Sequence, residues 1–312
     1  MRSLRLVVLL AMLVPPTAIA QSVRDIVAAE RLGAGYAQLL NLGATSDISS
    51  SSLRVDDGES RPPISIFRVP YVSDPLALTS ATGLRWYISG SYLRMKESSG
   101  TTELFGAPGA IDAHWDAWSV TAGARLETAL GGGFTLEPGF NLSLARLLNE
   151  GQFRGSAGVL QPLLDGLIVN WHTNAWLATP NLGLAWKHDY GGERMLTLRA
   201  HTAWTWVHSF DESDPVIRFR ETAGTWSIRG DYVAPVGMAI AGRALYYSAN
   251  AGYGGFFGNN RDALGFTTIA ELGLGIEAAM STSAPNKRVR LGVSYLFGPD
   301  VRGWSVGLAF AY

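Results

Sequence analysis

The chain has 312 residues, a formal net charge of −1 at pH 7 and only 16% charged residues, against roughly 25% in soluble domains. Glycine is frequent at 36 residues, aromatic residues make up 11%, and cysteine is absent. The near-neutral charge argues against a nucleic-acid partner, which would need a strongly basic surface. The lack of cysteine excludes disulfides.

The first twenty residues, MRSLRLVVLLAMLVPPTAIA, predict a cleaved signal peptide. Arg2 and Arg5 supply a basic start, residues 6–14 form an apolar core, and Ala18-Ile19-Ala20 provides a cleavage site of small residues. Such a short apolar core cannot cross a bilayer as a helix. A first buried helix is the alternative, which the Pro15-Pro16 pair disfavours. We therefore expect an exported protein.

Residues 21–50 are predicted to form an N-terminal helix and a serine-rich link. Ser22 can cap a helix over 22–43, and Gly43 suits its end. About 20 helical residues reach about 30 Å, roughly the thickness of the hydrocarbon core of a membrane. The apolar residues at helical spacing are Val23, Ile26, Val27, Leu32, Tyr36, Leu39 and Leu40.

Residues 51–312 alternate between large apolar residues and small or polar ones. Such alternation is typical of strands whose two faces meet different surroundings. No run of 18 apolar residues follows the signal peptide, so helical membrane spans are not expected. The last strand shows the pattern most strictly, with only glycine, serine and alanine between Trp304, Val306, Leu308, Phe310 and Tyr312.

An exported chain of alternating segments predicts an all-β fold, a transmembrane antiparallel β-barrel with the N-terminal helix in a position to enter its lumen. Closure is required because lipid offers no hydrogen-bond partner to a strand edge. A soluble sandwich could alternate similarly. The signal peptide, the aromatic residues near segment ends and the apolar last residue favour the barrel.

Connection lengths predict about twelve strands. Short turns at 129–134, 188–193 and 234–237 alternate with longer external loops at 97–113, 148–166, 210–215 and 252–263. Ten or fourteen strands remain alternatives, since a short first strand and a long 167–190 strand are assumed. The strands are predicted near 52–57, 63–72, 83–96, 115–129, 133–147, 167–190, 193–209, 216–234, 237–251, 264–280, 288–297 and 301–312.

The polar face of the predicted strands places charges of both signs in the lumen, where they can pair with one another, hold the helix or set ion selectivity. His201 lies among them, either in a hydrogen-bond network or as half of an acid–base pair. No catalytic residue, metal site or cofactor is predicted. The lumenal set is Arg125, Glu127, Glu137, Arg199, His201, Arg229, Asp231, Glu271, Glu277 and Arg290.

The external loop around 210–215 offers a second group of charges. Arg218 and Arg220 follow Asp211, Glu212 and Asp214 and could contact lipopolysaccharide phosphates, directly or through divalent ions. A solvated loop is the alternative.

The signal peptide, the pore-length helix, the serine-rich link and about twelve strands ending in an aromatic residue resemble the translocator domain of autotransporters. Only about forty mature residues precede the strands, which is similar to the solitary autotransporter-like barrels without a passenger. The other anchors are LEPGFNLSLAR (136–146) and WSVGLAFAY at the end. The resemblance implies that the last strand is a signal for barrel assembly. The usual terminal residue there is phenylalanine, whereas this chain has Tyr312.

Together these features predict a non-enzymatic channel or translocator-type pore in a bacterial outer membrane. The alternatives are a closed structural or adhesive barrel that acts through its loops, and a barrel lipid hydrolase or protease. Outer-membrane lipid, lipopolysaccharide, the barrel-assembly machinery and periplasmic chaperones are the expected partners. The sequence indicates neither a transported solute or cargo nor an oligomeric state.

Overall fold

The computed structural model describes residues 32–45, 51–56, 60–98, 102–104, 107–258, 260–281 and 284–311. The predicted signal peptide, the first part of the predicted helix, most of the serine-rich link and Tyr312 lie outside these residues. Within the described parts, no helix is long and apolar enough to cross a membrane.

The fold is an antiparallel β-barrel of twelve strands, which confirms the predicted class and number. Each of the twelve pairs with two neighbours, and the β4–β6 and β1–β14 pairings close the ring. Two short segments, β3 and β5, extend the connections. The strands are β1 (Ser51–Asp56), β2 (Ser60–Val72), β3 (Leu76–Ala77), β4 (Thr82–Ser98), β5 (Thr102–Leu104), β6 (Ala107–Gly131), β7 (Phe134–Gly155), β8 (Trp171–Asp189), β9 (Met195–Phe210), β10 (Arg220–Ile240), β11 (Arg243–Phe257), β12 (Thr268–Ser281), β13 (Ala284–Phe297) and β14 (Val301–Ala311).

The two faces of the barrel wall carry different side chains because successive residues of a strand point to opposite sides. On the outer face, large apolar residues such as Val120 and Leu144 stand exposed in one cross-strand row. On the inner face, hydroxyl groups pair between strands. Ser91 and Ser119 are joined by a 2.7 Å contact between their Oγ atoms.

The connections differ in part from the predicted ones. The turn predicted at 234–237 lies instead at Ala241 and Gly242, whose φ angles of 51° and 74° match a two-residue hairpin turn. The segment from Pro235 to Ala239 is an irregularity of the β10–β11 pairing. The predicted loops 97–113, 148–166 and 252–263 are too long, because β4, β6, β7 and β11 extend into them.

Above β6 and β7, the connection between β7 and β8 folds into helical turns. A 3₁₀ turn (Ser156–Leu160) runs into a short helix, α2 (Gln161–Leu164). A second 3₁₀ turn (Pro215–Ile217) lies between β9 and β10. These turns lie at the end of the barrel with the long connections, which is the external end in barrels of this kind.

Helix α1 (Leu32–Thr45) lies inside the barrel. It contacts β4, β6, β7, β9 and β10, and residues from Tyr36 to Ala44 are buried. It ends two residues beyond the predicted stop at Gly43. The Arg68 guanidinium of β2 donates to the carbonyls of Leu42 and Gly43, which belong to the last turn of the helix and lack partners within it.

Replacing Tyr36 with alanine tests how firmly α1 is held. The change leaves a cavity among aromatic rings and should lower the local unfolding free energy of the helix by about 3 kcal/mol. The amides of α1 should then exchange about 100-fold faster, measured by hydrogen exchange of the folded barrel. Tyr190→Ala, at an exposed turn, is the control. Wild-type exchange in the Tyr36 variant would contradict this packing.

Candidate functional site

The external half of the lumen is filled by an apolar core around α1. The Tyr36 ring lies 4.7 Å from the Trp171 ring, 6.0 Å from Phe219 and 6.2 Å from Trp115, measured between centroids. These three partners come from β8, the β9–β10 connection and β6. The helix therefore packs against several sides of the barrel wall, as a buried helix packs in the core of a soluble protein.

Polar contacts fix the position of the helix within this core. The Thr205 hydroxyl donates to Asn41 Oδ1 at 2.8 Å, and Gln38 Nε2 donates to the Asn260 carbonyl at 3.0 Å. Asn260 belongs to the connection between β11 and β12, and its own Nδ2 donates to Glu221 of β10 at 2.8 Å. An external loop thus closes over the helix.

The inner wall toward the short turns carries a first group of ion pairs, on β4, β6, β7 and β9. Glu127 lies between two arginines, at 2.8 Å from Arg85 Nε and 3.0 Å from Arg125 Nη2. Glu137 Oε2 lies 3.3 Å from Arg199 Nε and 3.9 Å from Arg125 Nη1. The charges form one chain along the wall.

A second group continues on β10, β12 and β13. Arg229 contacts Asp231 and Glu271, each at 3.2 Å. Arg290 bridges Asp231, at 2.9 Å from Nη1, and Glu277, which accepts from its Nε. The two groups meet where Arg229 lies directly opposite Arg199 in the β9–β10 register.

All ten residues predicted for the lumen lie on the inner wall, and nine of them are the ion-pair members just described. Arg85 and Arg288 were missed. The alternation of GLRWYISG could have identified Arg85, because Leu84, Trp86 and Ile88 take the outer face. Arg288 lies 3.7 Å from Glu277, and its guanidinium covers the Tyr246 ring. The alternation of RVRLGV could have identified it too, because Val289 and Leu291 take the outer face.

His201, the tenth predicted residue, lines a cavity between the wall and Leu42 of α1. Arg229, Glu271 and Ser227 share that cavity, and Ser227 is the residue opposite His201 in the register. A serine beside a histidine is one element of nucleophilic catalysis, and the hydrolase alternative depends on this pair. Within the described residues, no group of three His, Asp or Glu side chains could hold a metal ion.

The C-terminal strand pairs with both of its neighbours. Trp304 and Val306 are exposed on the outer face of β14. Further along the strand, Leu308 and Phe310 lie opposite Leu291 and Val289 of β13 in the register. Tyr312 is outside the described residues. The proposed role of these residues in assembly stays a prediction.

The loop between β9 and β10 is held by a carboxylate. Glu212 Oε1 accepts from Ser209 at 2.8 Å and from Arg218 Nε at 3.3 Å. Burial raises the pKa of the Glu212 carboxyl, but hydrogen bonds from Ser209, its own backbone amide and Arg218 outweigh burial and hold that pKa below its ordinary value. Ser209 Oγ also accepts from the Phe219 amide at 2.8 Å, which links the loop to the aromatic contact with α1.

Comparison with known proteins agrees with this architecture. Residues 46–312 match the family described as solitary outer membrane autotransporter beta-barrel domain. The fold is similar to the beta domain of the Bordetella autotransporter BrkA (15% identity, TM-score 0.52, covering 84% of this chain and 95% of that one). It is also similar to the transport unit of the Escherichia coli autotransporter AIDA-I (14%, 0.51, 90% and 98%). Among curated proteins, none matches the sequence.

Neutralising Glu277 tests the second group of ion pairs. Its side chain is only 2% exposed, so Glu277→Gln leaves Arg288 and Arg290 short of a buried partner and should cost about 3 kcal/mol of unfolding free energy. Glu150→Gln is the matched control, because Glu150 is 65% exposed beside His114 and should cost under about 1 kcal/mol. Urea unfolding of the refolded barrel measures both, and equal losses would contradict a buried network.

The lowered pKa of Glu212 predicts an acid-sensitive loop. The ionised Glu212 carboxylate stabilises the folded loop. This stabilisation is complete above the ordinary carboxyl pKa of about 4.3 and disappears as the pH falls through the lower folded-state pKa. The difference in urea midpoint between wild type and Glu212→Gln should therefore shrink from pH 7 toward pH 3. Asp262→Asn, an exposed loop acid, is the control. A difference that stays constant with pH would contradict the assignment.

Proposed function

The chain belongs to the solitary outer membrane autotransporter β-barrel domain family, and on that premise we propose that it is a non-enzymatic, translocator-type pore closed by its own helix. The family is one of the bacterial outer membrane. Export through a signal peptide at residues 1–20 is part of this proposal, because the n-region, apolar core and cleavage site have the order that export requires.

The position of α1 is the observation that carries the proposal. The helix fills the external half of the lumen, while the wall below it is lined by paired charges of both signs. Paired charges of both signs on the inner wall are compatible with a hydrated passage, because each charge already has a partner in the wall. The arrangement supports a polar vestibule beneath an apolar plug.

A closed barrel that acts through its loops is the second candidate. It is favoured by the β7–β8 connection, which has a small apolar core of its own formed by Ile111, Ala157, Leu160, Leu164, Leu167 and Val169. A loop with its own core presents a defined surface. In this case α1 would be a permanent part of the core.

A barrel hydrolase is the third candidate and depends on the His201–Ser227 juxtaposition. It requires that the pair be reached by substrate, although Leu42 of α1 faces the same cavity. A His201→Ala variant that retained every assayed lipase and protease activity would count against it.

Assembly partners follow from the outer-membrane location. Lipid and lipopolysaccharide would surround the apolar outer face. The alternating end of the chain, Trp304 to Tyr312, would be read by the barrel-assembly machinery after delivery by periplasmic chaperones. A truncated last strand would then leave the β1 edge unpaired in lipid, which is unfavourable.

Planar-bilayer conductance distinguishes the first two candidates. The intact mature protein should be silent, and a variant lacking residues 22–45 should conduct at nanosiemens scale, because removal of α1 opens the external half of the lumen. If neither protein conducts, the lumen is filled by the side chains of the wall, and the pore proposal fails.

A disulfide lock provides the control that keeps the intact fold. A Cβ atom at Gly43 would lie 3.6 Å from Ser91 Oγ of β4, so a Gly43→Cys, Ser91→Cys pair can form the only disulfide in a chain without cysteine. Under urea or high voltage the oxidised form should stay silent, whereas the reduced form should show openings. Equal openings in both forms would mean that α1 is not the plug.

A further inference from the structure

The lipid-facing side of β2, β4, β6 and β7 carries a cleft that the pore proposal does not use. Gly90 lies between Val69 and Val120 in one cross-strand row, and Leu144 follows on β7. A Cβ atom at Gly90 would meet no heavy atom within 4 Å, so the floor of the cleft is open. Its walls are the exposed side chains of Phe67, Val69, Val120 and Leu144.

An aromatic pair, Tyr92 and Trp118, which we call the ledge, borders the cleft toward the external end. The Tyr92 and Trp118 rings lie 4.2 Å apart, tilted by 33°. Aromatic residues of this kind stand at the level of lipid headgroups. The cleft below the ledge is therefore at the depth of acyl chains in the outer leaflet.

Cations surround the ledge on the same outer face. Arg146 lies beside Trp118 in the register, is exposed, and within the described residues makes no ion pair. Arg94 donates to both oxygens of Asp116, at 2.7 and 2.9 Å. Exposed Lys96 follows on the same face.

The acids nearby do not neutralise Arg146. Asp116 is engaged by Arg94 and by the Tyr92 hydroxyl, and Glu150 lies 3.1 Å from His114. The arginine of the β9–β10 loop differs in this respect, since Arg218 is paired with Glu212. Arg146 therefore lies at headgroup level and is available to bind an anionic lipid headgroup.

We propose that this cleft, the Gly90 cleft, binds one phosphorylated, multiply acylated lipid of the outer leaflet, of the lipid A type. Arg146 would hold its phosphate, since guanidinium matches phosphate with two parallel hydrogen bonds. One acyl chain would lie across Gly90 between Val69 and Val120. The inference rests on the outer-membrane location of the family and not on the pore proposal.

Lipid binding is measured by native mass spectrometry of the intact mature barrel in a neutral detergent. The probes are diphosphoryl lipid A, the same lipid after phosphate removal, and phosphatidylglycerol. We expect one lipid A per barrel, bound at least ten-fold more tightly than either other probe. Equal affinity for the dephosphorylated lipid would overturn phosphate recognition. Equal affinity for phosphatidylglycerol would mean that the cleft makes only non-specific lipid contacts and would overturn the proposal.

Two variants and two matched controls locate the site. Arg146→Ala removes the cation that makes no ion pair among the described residues, and Gly90→Leu fills the open floor, so each should weaken lipid A binding at least five-fold. Arg243→Ala, an exposed arginine at the opposite end of the barrel, and Ala251→Leu, on the outer face of β11, should leave binding unchanged. If either variant binds like its control, the Gly90 cleft is not the site. Conductance is unaffected by these outcomes, so failure of the pore proposal would remain distinguishable.

Discussion

The structure depends on the absence of hydrogen-bond partners in lipid. Every backbone amide and carbonyl within the membrane must be satisfied by a neighbouring strand, and twelve strands achieve this only by closing through the β4–β6 and β1–β14 pairings. Closure makes an inside and an outside, and the period of two along each strand then sorts the side chains. The apolar outer face and the polar inner face follow from this single requirement.

Closure also sets a space limit inside the ring. A barrel of this size that admits a helix must keep the facing wall residues small, and the sequence meets this with glycine, serine and alanine. Gly123 shows how tight the wall is, because a Cβ atom there would lie 2.6 Å from Tyr87 Cζ and 2.5 Å from Asn141 Oδ1. Glycine at this position is therefore a packing requirement of the inner wall.

Alternation revealed the strands in advance because lipid and lumen differ so strongly, and the inward position of Arg125 or Glu271 follows from the same pattern. Strand ends were placed less well, since β6 and β7 continue beyond their strictly alternating segments to Ala107 and Gly155. The turn at Ala241 was missed because alanine rarely adopts a positive φ. The Arg290–Asp231 contact was beyond sequence reasoning, because it requires the register across four strands.

The lumen combines two kinds of packing with different responses to hydration. Around Tyr36 the helix is held by aromatic contacts, which lose their stabilisation when water enters. Lower on the wall, Arg229 and Glu271 are already paired to each other and can keep that pairing in water. Arg229 and Glu271 line the same cavity as Leu42 of α1 and are paired to each other, so departure of α1 would leave their pairing intact. The external apolar core, not the charged wall, therefore sets the free energy that holds the barrel closed.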